Sequence, residues 1–428
     1  MQLDLEPLPG TNDLFRPDYQ LNIYRALPTA LRCMGIQVNR DNLCENRAVK
    51  QQLSANKALG AQRVIVCILD SLGVQNMQGT KLMDFIQTHN GITLSSTFPS
   101  ITSAAIPSIN FGVPPTTHGI LGHVIFFPEY GTLVDTLRMS GYKVRYRDAI
   151  ASAGIDVRLL LWSEGLPALL EKSHPDLILA EGLPQQIPGT GLGRFYVQRD
   201  KVFTYQGFID GFGMARRLIT HYEDRPLFIT CYFPEMDIFA HKYGPDSSEY
   251  KTGCDSFLHQ LSTFAQSLPA TQAKTTTIVL CSDHGQNLIC KDREIILNQE
   301  ELTEVKGTLK IPPGHSGRVT HFYTRSPIKR RKLKQWLQEH VADLALVFDA
   351  KDIDKHKLLP VPTSRKILQR LGDLLLIGRD GVRLRIARDE PPAEMERFLP
   401  DEGLIGHHGS LTLDELLTPF LAINAAHI

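Results

Sequence analysis

Short unbroken apolar runs recur along the chain, and several end in an acid. Arg63-Val-Ile-Val-Cys-Ile-Leu-Asp70 is the clearest. A continuous apolar run predicts a strand buried on both faces, as in a parallel sheet. The same pattern predicts strands at Asp176–Ala180, at Pro226–Phe233 with Asp237 soon after, and at Thr276–Ser282 with Asp283 next. Between them the period changes. Gly207 to Tyr222 has apolar residues at 208, 212, 215 and 218, and Ser248 to Leu268 at 250, 257, 261 and 264. That spacing predicts helices. Strands alternating with helices predict an α/β fold, a mostly parallel central sheet with helices on both faces. Ligands of such sheets sit beyond the carboxyl ends of the strands. Asp70, Asp237 and Asp283 fall there.

The remaining segments divide the chain further. Residues 1–60 read as an irregular and helical lead-in, and 61–307 as the core α/β domain. Residues 308–400 read as a small inserted α+β cap, with strands near His321–Thr324, Leu344–Phe348 and Asp373–Gly378 and a basic amphipathic helix from Pro327. Residues 401–428 return to the core through His407-His408-Gly409 and a final apolar helix or strand from Leu411 to Ile423.

Composition narrows the function. Lysine plus arginine equals aspartate plus glutamate at 46 each, so no global basic field exists to hold nucleic acid. The seven cysteines form no CxxC pair, which fits a reducing compartment rather than a disulfide framework. The N-terminus lacks a secretory apolar run, and no run is long enough to cross a membrane. The expectation is a cytoplasmic protein acting on a small molecule.

Asp237 and His241 stand four apart, on one face of a helical turn. Taken alone, each of these reads first as a local hydrogen bond, cap or turn. Together Asp70, Asp237, His241, Asp283, His284 and His408 form a ligand set that suits two Zn²⁺ ions, or Mn²⁺. Paired cations stabilise attacking and leaving oxygens at phosphorus. The segment from Thr97 to Gly119 is rich in small and hydroxyl residues, and Thr102 there is a candidate nucleophile at a helix N-terminus. Its plainer reading is a capping loop.

These motifs resemble the alkaline phosphatase superfamily, and within it the type I phosphodiesterase/nucleotide pyrophosphatase family. The matching stretches are Val64–Gly73, Phe98-Pro-Ser-Ile-Thr102, Gly112–Gly119, Asp237-x-x-x-His241, Ser282-Asp-His-Gly285 and His408-Gly409, in family order. The resemblance implies one metal held by Asp237, His241 and His408. It implies a second held by Asp70, Asp283, His284 and the Thr102 oxygen. Thr102 would attack phosphorus and give a phospho-enzyme, later released by water. One departure stands at His123, 21 positions after Thr102, where eukaryotic-type members have an asparagine on a phosphate oxygen. His123 is expected to border the phosphate site and donate a hydrogen bond in its place. The implied substrate is a small phosphodiester or a nucleotide.

Rival readings remain open. A phosphomonoesterase, phosphonate hydrolase or phosphomutase fits the same scaffold, although no arginine lies near Thr102 in sequence. An inactive ligand-binding member would keep the fold without turnover. His315 and His407 rival His408 as ligands. Gly189–Arg194 reads as a flexible loop near the site, and Lys329–Lys332 as a solvated helix face.

Overall fold

The computed structural model describes residues 3–144, 146–185, 187, 191, 202–297, 299–341, 343–386 and 403–428. Its main sheet has seven strands. Their order across the sheet is Ile92–Ser95, Leu417–Asn424, Thr276–Cys281, Arg63–Leu69, Leu227–Phe233, Ile178–Pro184 and Val202–Tyr205. The five from Thr276–Cys281 to Val202–Tyr205 run parallel, and Leu417–Asn424 is antiparallel to both its neighbours. The sheet is therefore mostly parallel, as the apolar runs require. Every residue of the central Arg63–Leu69 strand is buried.

Alternation along the strands separates two apolar layers. Val64, Val66, Ile68, Leu179 and Phe228 face the layer holding Ile106 and Ile109 of the Thr102–Phe111 helix. Ile65, Cys67, Leu69 and Ile229 face the other, against Phe212, Phe257 and Leu261 of the two helices Gly207–His221 and Ser248–Ser267. The lead-in is not peripheral. Leu14, Ile23, Leu27 and Leu31 are buried in the first layer. The Leu21 carbonyl accepts the Ser95 N–H at 2.7 Å. The terminal apolar segment resolves into a short helix, Leu413–Leu416, followed by the strand Leu417–Asn424.

A second sheet of seven strands is antiparallel throughout. Its order is Ala345–Asp349, Leu374–Gly378, Val319–Phe322, Gly314–Ser316, Val124–Phe127, Thr132–Asp135 and Ser140–Gly141. The expected cap strands are thus joined by three from residues 124–141, which the apolar pattern had not assigned to that sheet. The basic helix Pro327–Val341 buries Leu333, Leu337 and Val341 in the apolar cluster with Leu374 and Leu376 of this sheet, as its period foretold. Residues 387–402 and most of the Gly189–Arg194 loop lie outside the described residues. Among the described residues, no helix is long and apolar enough to cross a membrane.

Candidate active site and metal centre

The three acids converge because their strands are parallel and adjacent. Asp70 follows Leu69, Asp237 lies in the helix Glu235–Tyr243 just beyond Phe233, and Asp283 comes two residues after Cys281. Beyond the strand ends the chain turns tightly. Ser71 has φ +65°, and its N–H donates to Asp283 Oδ1 at 3.1 Å. Gly285 packs against the neighbouring turn, where an added Cβ would lie 2.1 Å from the Asp414 carbonyl oxygen. His408 is brought in by Gly406–His407, which pairs antiparallel with Asn287–Leu288 just after the Asp283-His284 turn. Gly409 follows with φ +118°, its Cβ position 2.2 Å from the Ser316 carbonyl oxygen. Only glycine fits that approach without strain.

Asp70, Asp283 and His284 bring one ligand atom each to within 4.8 Å of one another. His284 Nε2 is 3.2 Å from Asp283 Oδ2, 3.5 Å from Asp70 Oδ1 and 3.1 Å from Thr102 Oγ1. Asp70 Oδ1 and Asp283 Oδ2 are buried with no hydrogen-bond partner. Burial, with the nearby Asp283 and Asp237 carboxylates, holds the Asp70 carboxyl well above its usual range. Burial likewise pushes Asp283 up to about 7 and His284 down to about 3. His284 Nδ1 faces the Gly285 carbonyl at 3.1 Å, so Nδ1 carries the proton and Nε2 keeps its lone pair. Raised in this way the two carboxyls hold protons on their own, and a divalent cation would displace those protons and satisfy the converging oxygens and Nε2 together.

The second group lies against the first. The His284 and His408 rings stack at 3.8 Å between centroids. Asp237 Oδ1 is 3.2 Å from His241 Nε2 and 3.5 Å from His408 Nε2. Gln286 Nε2 donates to the same oxygen at 2.7 Å. Burial raises the Asp237 carboxyl, but the His241 charge and hydrogen bond outweigh it and leave the group below its usual range. His241 Nδ1 faces the Gly406 carbonyl at 2.8 Å and His408 Nδ1 the Ser100 carbonyl at 3.1 Å. With those carbonyls holding the Nδ1 protons, each ring when neutral turns its Nε2 lone pair inward, and a cation there would replace the proton that His241 shares with Asp237. His407 also sits within 4.8 Å of His241 and His408. Its Nδ1 accepts the His408 N–H at 3.0 Å, which puts the neutral ring's proton on Nε2. His407 is in the tautomer of a donor, opposite to that of His241 and His408. His315 stacks instead on His123, 5.5 Å away.

Thr102 opens the ten-residue helix Thr102–Phe111, whose capping Ile101 offers no side-chain bond. Thr102 lines an open cleft of about 180 Å³. Ser103, the adjacent hydroxyl, is fully buried with no partner for Oγ. The cleft is lined by Thr102, Asp70 and Asp237, and also by Asn110, Glu181, Thr230 and Arg147. Arg147 adds what the sequence neighbourhood of Thr102 lacks, an arginine lining the same cleft. It reaches the cleft from a different part of the chain and is exposed there.

His123 opens the Val124–Phe127 strand of the second sheet. Its Nε2 is 3.4 Å from Asp135 Oδ1, and it is not among the described residues lining the cleft. The sequence reading also missed Tyr232, whose hydroxyl donates to Asp70 Oδ2, and Gln286. Both adjoin the motifs, one at the end of a predicted strand and one directly after Gly285.

Paired His/Asp clusters stand around a helix-borne hydroxyl beyond the carboxyl ends of a parallel sheet, the arrangement that the resemblance to the alkaline phosphatase superfamily of hydrolases implies. Residues 64–411 match the type I phosphodiesterase / nucleotide pyrophosphatase family, and the chain belongs to it. No curated protein sequence matches the chain. Among solved structures, murine ectonucleotide pyrophosphatase/phosphodiesterase 5 superposes with a TM-score of 0.60 at 16% identity, covering 84% of this chain and 87% of that one. An inactive threonine-to-alanine form of the murine protein, in complex with AMP, superposes with a TM-score of 0.57 at 16% identity, with the same coverage. Phosphonoacetate hydrolase from Sinorhizobium meliloti 1021, bound to phosphonoformate, gives 0.54 at 16% identity over 84% of this chain and 89% of that one. These likenesses establish the shared fold, and the family supports phosphoester hydrolysis as the reaction class.

Proposed function

We propose that the protein is a two-metal hydrolase of phosphodiester or nucleotide pyrophosphate bonds that works through a covalent Thr102 phospho-ester. The observation that carries the reading is the pair of orphaned buried oxygens, Asp70 Oδ1 and Asp283 Oδ2, beside His284 Nε2 and the Thr102 hydroxyl. Asp70, Asp283, His284 and the Thr102 oxygen would hold one ion; Asp237, His241 and His408 would hold the other. Two divalent ions, zinc or manganese, would neutralise charge on the phosphoryl oxygens and make a hydroxyl easier to deprotonate.

The chain's own groups do the rest. Thr102 Oγ1 forms the new bond to phosphorus as the bond to the leaving oxygen breaks. The first turn of its helix presents backbone N–H groups toward the anion. Water then cleaves the Thr102 ester. Nδ1 hydrogen bonds to Gly285, Gly406 and Ser100 fix the three imidazoles, and Tyr232 and Gln286 fix two of the carboxylates. His123 would donate to a non-bridging oxygen. With Nε2 turned to Asp135, that donation falls to Nδ1. The murine neighbour crystallised with AMP supports a nucleotide substrate, and its inactive threonine-to-alanine form supports the role given to Thr102. A cytoplasmic site of action is part of the reading, supported by seven free cysteines.

Arg147 in the cleft favours a second reading, hydrolysis of a phosphomonoester or phosphonate, whose extra charge an arginine would meet. Turnover of bis-p-nitrophenyl phosphate against p-nitrophenyl phosphate, with and without Zn²⁺ or Mn²⁺, separates the two. Faster metal-dependent turnover of the diester is expected. Turnover of the monoester alone would install the second reading, and turnover of neither would remove both.

A further inference from the structure

The cleft beside Thr102 does not end in apolar surface. Thr102, Ile106 and Asn110 are spaced four apart on one helix face, and all three line it. At 1.5 Å per residue the cleft therefore runs roughly 12 Å from the nucleophile to Asn110. The facing wall belongs to the sheet. Glu181 is paired in register with Thr230, which is in turn level with Val66, four residues before Asp70. At about 3.3 Å per residue this again puts Glu181 roughly 13 Å along the cleft from the ligand-bearing end. Ile68, Leu137 and Leu183 make the walls between apolar.

Glu181 is 3% exposed, and its Oε2 is buried with no hydrogen-bond partner. A buried carboxyl without a partner costs free energy that an internal salt bridge or hydrogen bond would normally offset. Among the described residues none meets Oε2, and the group borders the substrate cleft, which Arg147 also lines. Asn110 and Thr230 stand beside it, so both ends of the cleft are polar and the middle is not.

We infer that Glu181 is a specificity-determining residue which accepts an N–H donor at the far end of an organic arm on the substrate phosphorus, about 10 Å from it. This deepens the proposed phosphodiesterase reading and rests on it. An arm of that length ending in an N–H is either a nucleobase edge or a primary amine on an alkyl chain. An all-carbon arm would leave Glu181 unpaired and is selected against. Burial pushes the Glu181 carboxyl up to about 8, so it meets a neutral ligand as an acid able both to donate and to accept. An ammonium would instead draw it into the ionised form.

The test uses three p-nitrophenyl phosphodiesters with a common nitrophenolate readout. Their second arms are hexyl, 6-aminohexyl and thymidine 5′-yl. The metal-loaded wild type is expected to show higher kcat/KM for at least one N–H ester than for the hexyl ester. Glu181→Ala should lower that ratio about 10- to 100-fold, the effect of stranding a buried donor. Glu181→Gln keeps the shape and a carbonyl acceptor but cannot ionise. Retention of the ratio by the glutamine variant identifies a neutral nucleobase edge as the partner, and its loss identifies an amine. A wild-type ratio near one, or a ratio unmoved in Glu181→Ala, overturns the inference while leaving the phosphodiesterase reading intact. Absence of turnover with all three esters overturns that reading and this inference with it.

Discussion

Replacing Glu181 with glutamine should make the protein's stability respond differently to pH. An unfolded glutamate ionises near 4.5, whereas burial holds the folded Glu181 carboxyl up to about 8. Between those values the folded state keeps a proton that the unfolded state has lost. Stability therefore falls as pH rises through this window and levels off above it. At about 1.4 kcal/mol per pH unit, the loss by pH 8 is on the order of 5 kcal/mol. Glu181→Gln has no such group to titrate and avoids the loss. Unfolding entropy of about 2.1 cal/mol/K per residue comes to roughly 0.9 kcal/mol/K over this chain, so the melting temperatures should separate by about 5 °C. Scanning calorimetry of both proteins from pH 4.5 to 8.5 gives the comparison. The variant's Tm should gain on the wild type steadily between pH 5 and 8, then run parallel to it. Parallel curves throughout would show that Glu181 is paired or hydrated, and the reasoning on the cleft floor would fail.

Asp283→Ala removes one of the three acceptors around His284. It should abolish most activity and lower Tm, since a bound ion stabilises the folded state by mass action; an unchanged Tm in both metal-loaded and chelated samples would count against a cation there. Gly409→Ala puts a Cβ against the Ser316 carbonyl at positive φ. It should displace His408 and reduce metal content from two ions per chain toward one, measurable by elemental analysis, and unaltered content would show that the turn tolerates the side chain. His123→Ala should lower kcat/KM by about 10- to 1,000-fold if the ring contacts charge that grows in the transition state, with His123→Asn recovering part of the loss; a change under 2-fold would leave His123 as a partner of Asp135 only.

Much of the sheet was legible because buried parallel strands carry unbroken apolar runs. Val64 to Leu69 and Thr277 to Cys281 admit no other comfortable burial. The turns that bring Asp70, Asp283 and His284 together stood out only in combination, since each acid or histidine after such a run is alone an ordinary cap or turn residue. The second sheet was harder. Val124–Phe127 meets His315 nearly two hundred positions away, and such a pairing leaves no local mark. Arg147 escaped similarly, reaching the cleft from a loop far in sequence from Thr102. Glu181 was within reach. It follows Ile178-Leu179-Ala180 directly, the same apolar-run-then-acid pattern that marked Asp70, but the strand continues to Pro184 and the acid lies inside it. His407 and His408 could not be told apart by composition. Their roles separate only in the backbone groups that each Nδ1 meets.

The central claim is that Thr102 forms a covalent ester with the substrate phosphorus between two bound cations. The most direct measurement is turnover of bis-p-nitrophenyl phosphate by metal-reconstituted Thr102→Ala, Thr102→Ser and wild type, with metal content determined on the same samples. The account requires turnover to fall by several orders of magnitude in Thr102→Ala and only partly in Thr102→Ser, because serine keeps the hydroxyl with a looser rotamer preference. Both variants should still hold close to two ions per chain, since Asp70, Asp283 and His284 remain. Near-native turnover by Thr102→Ala at full metal content would contradict it.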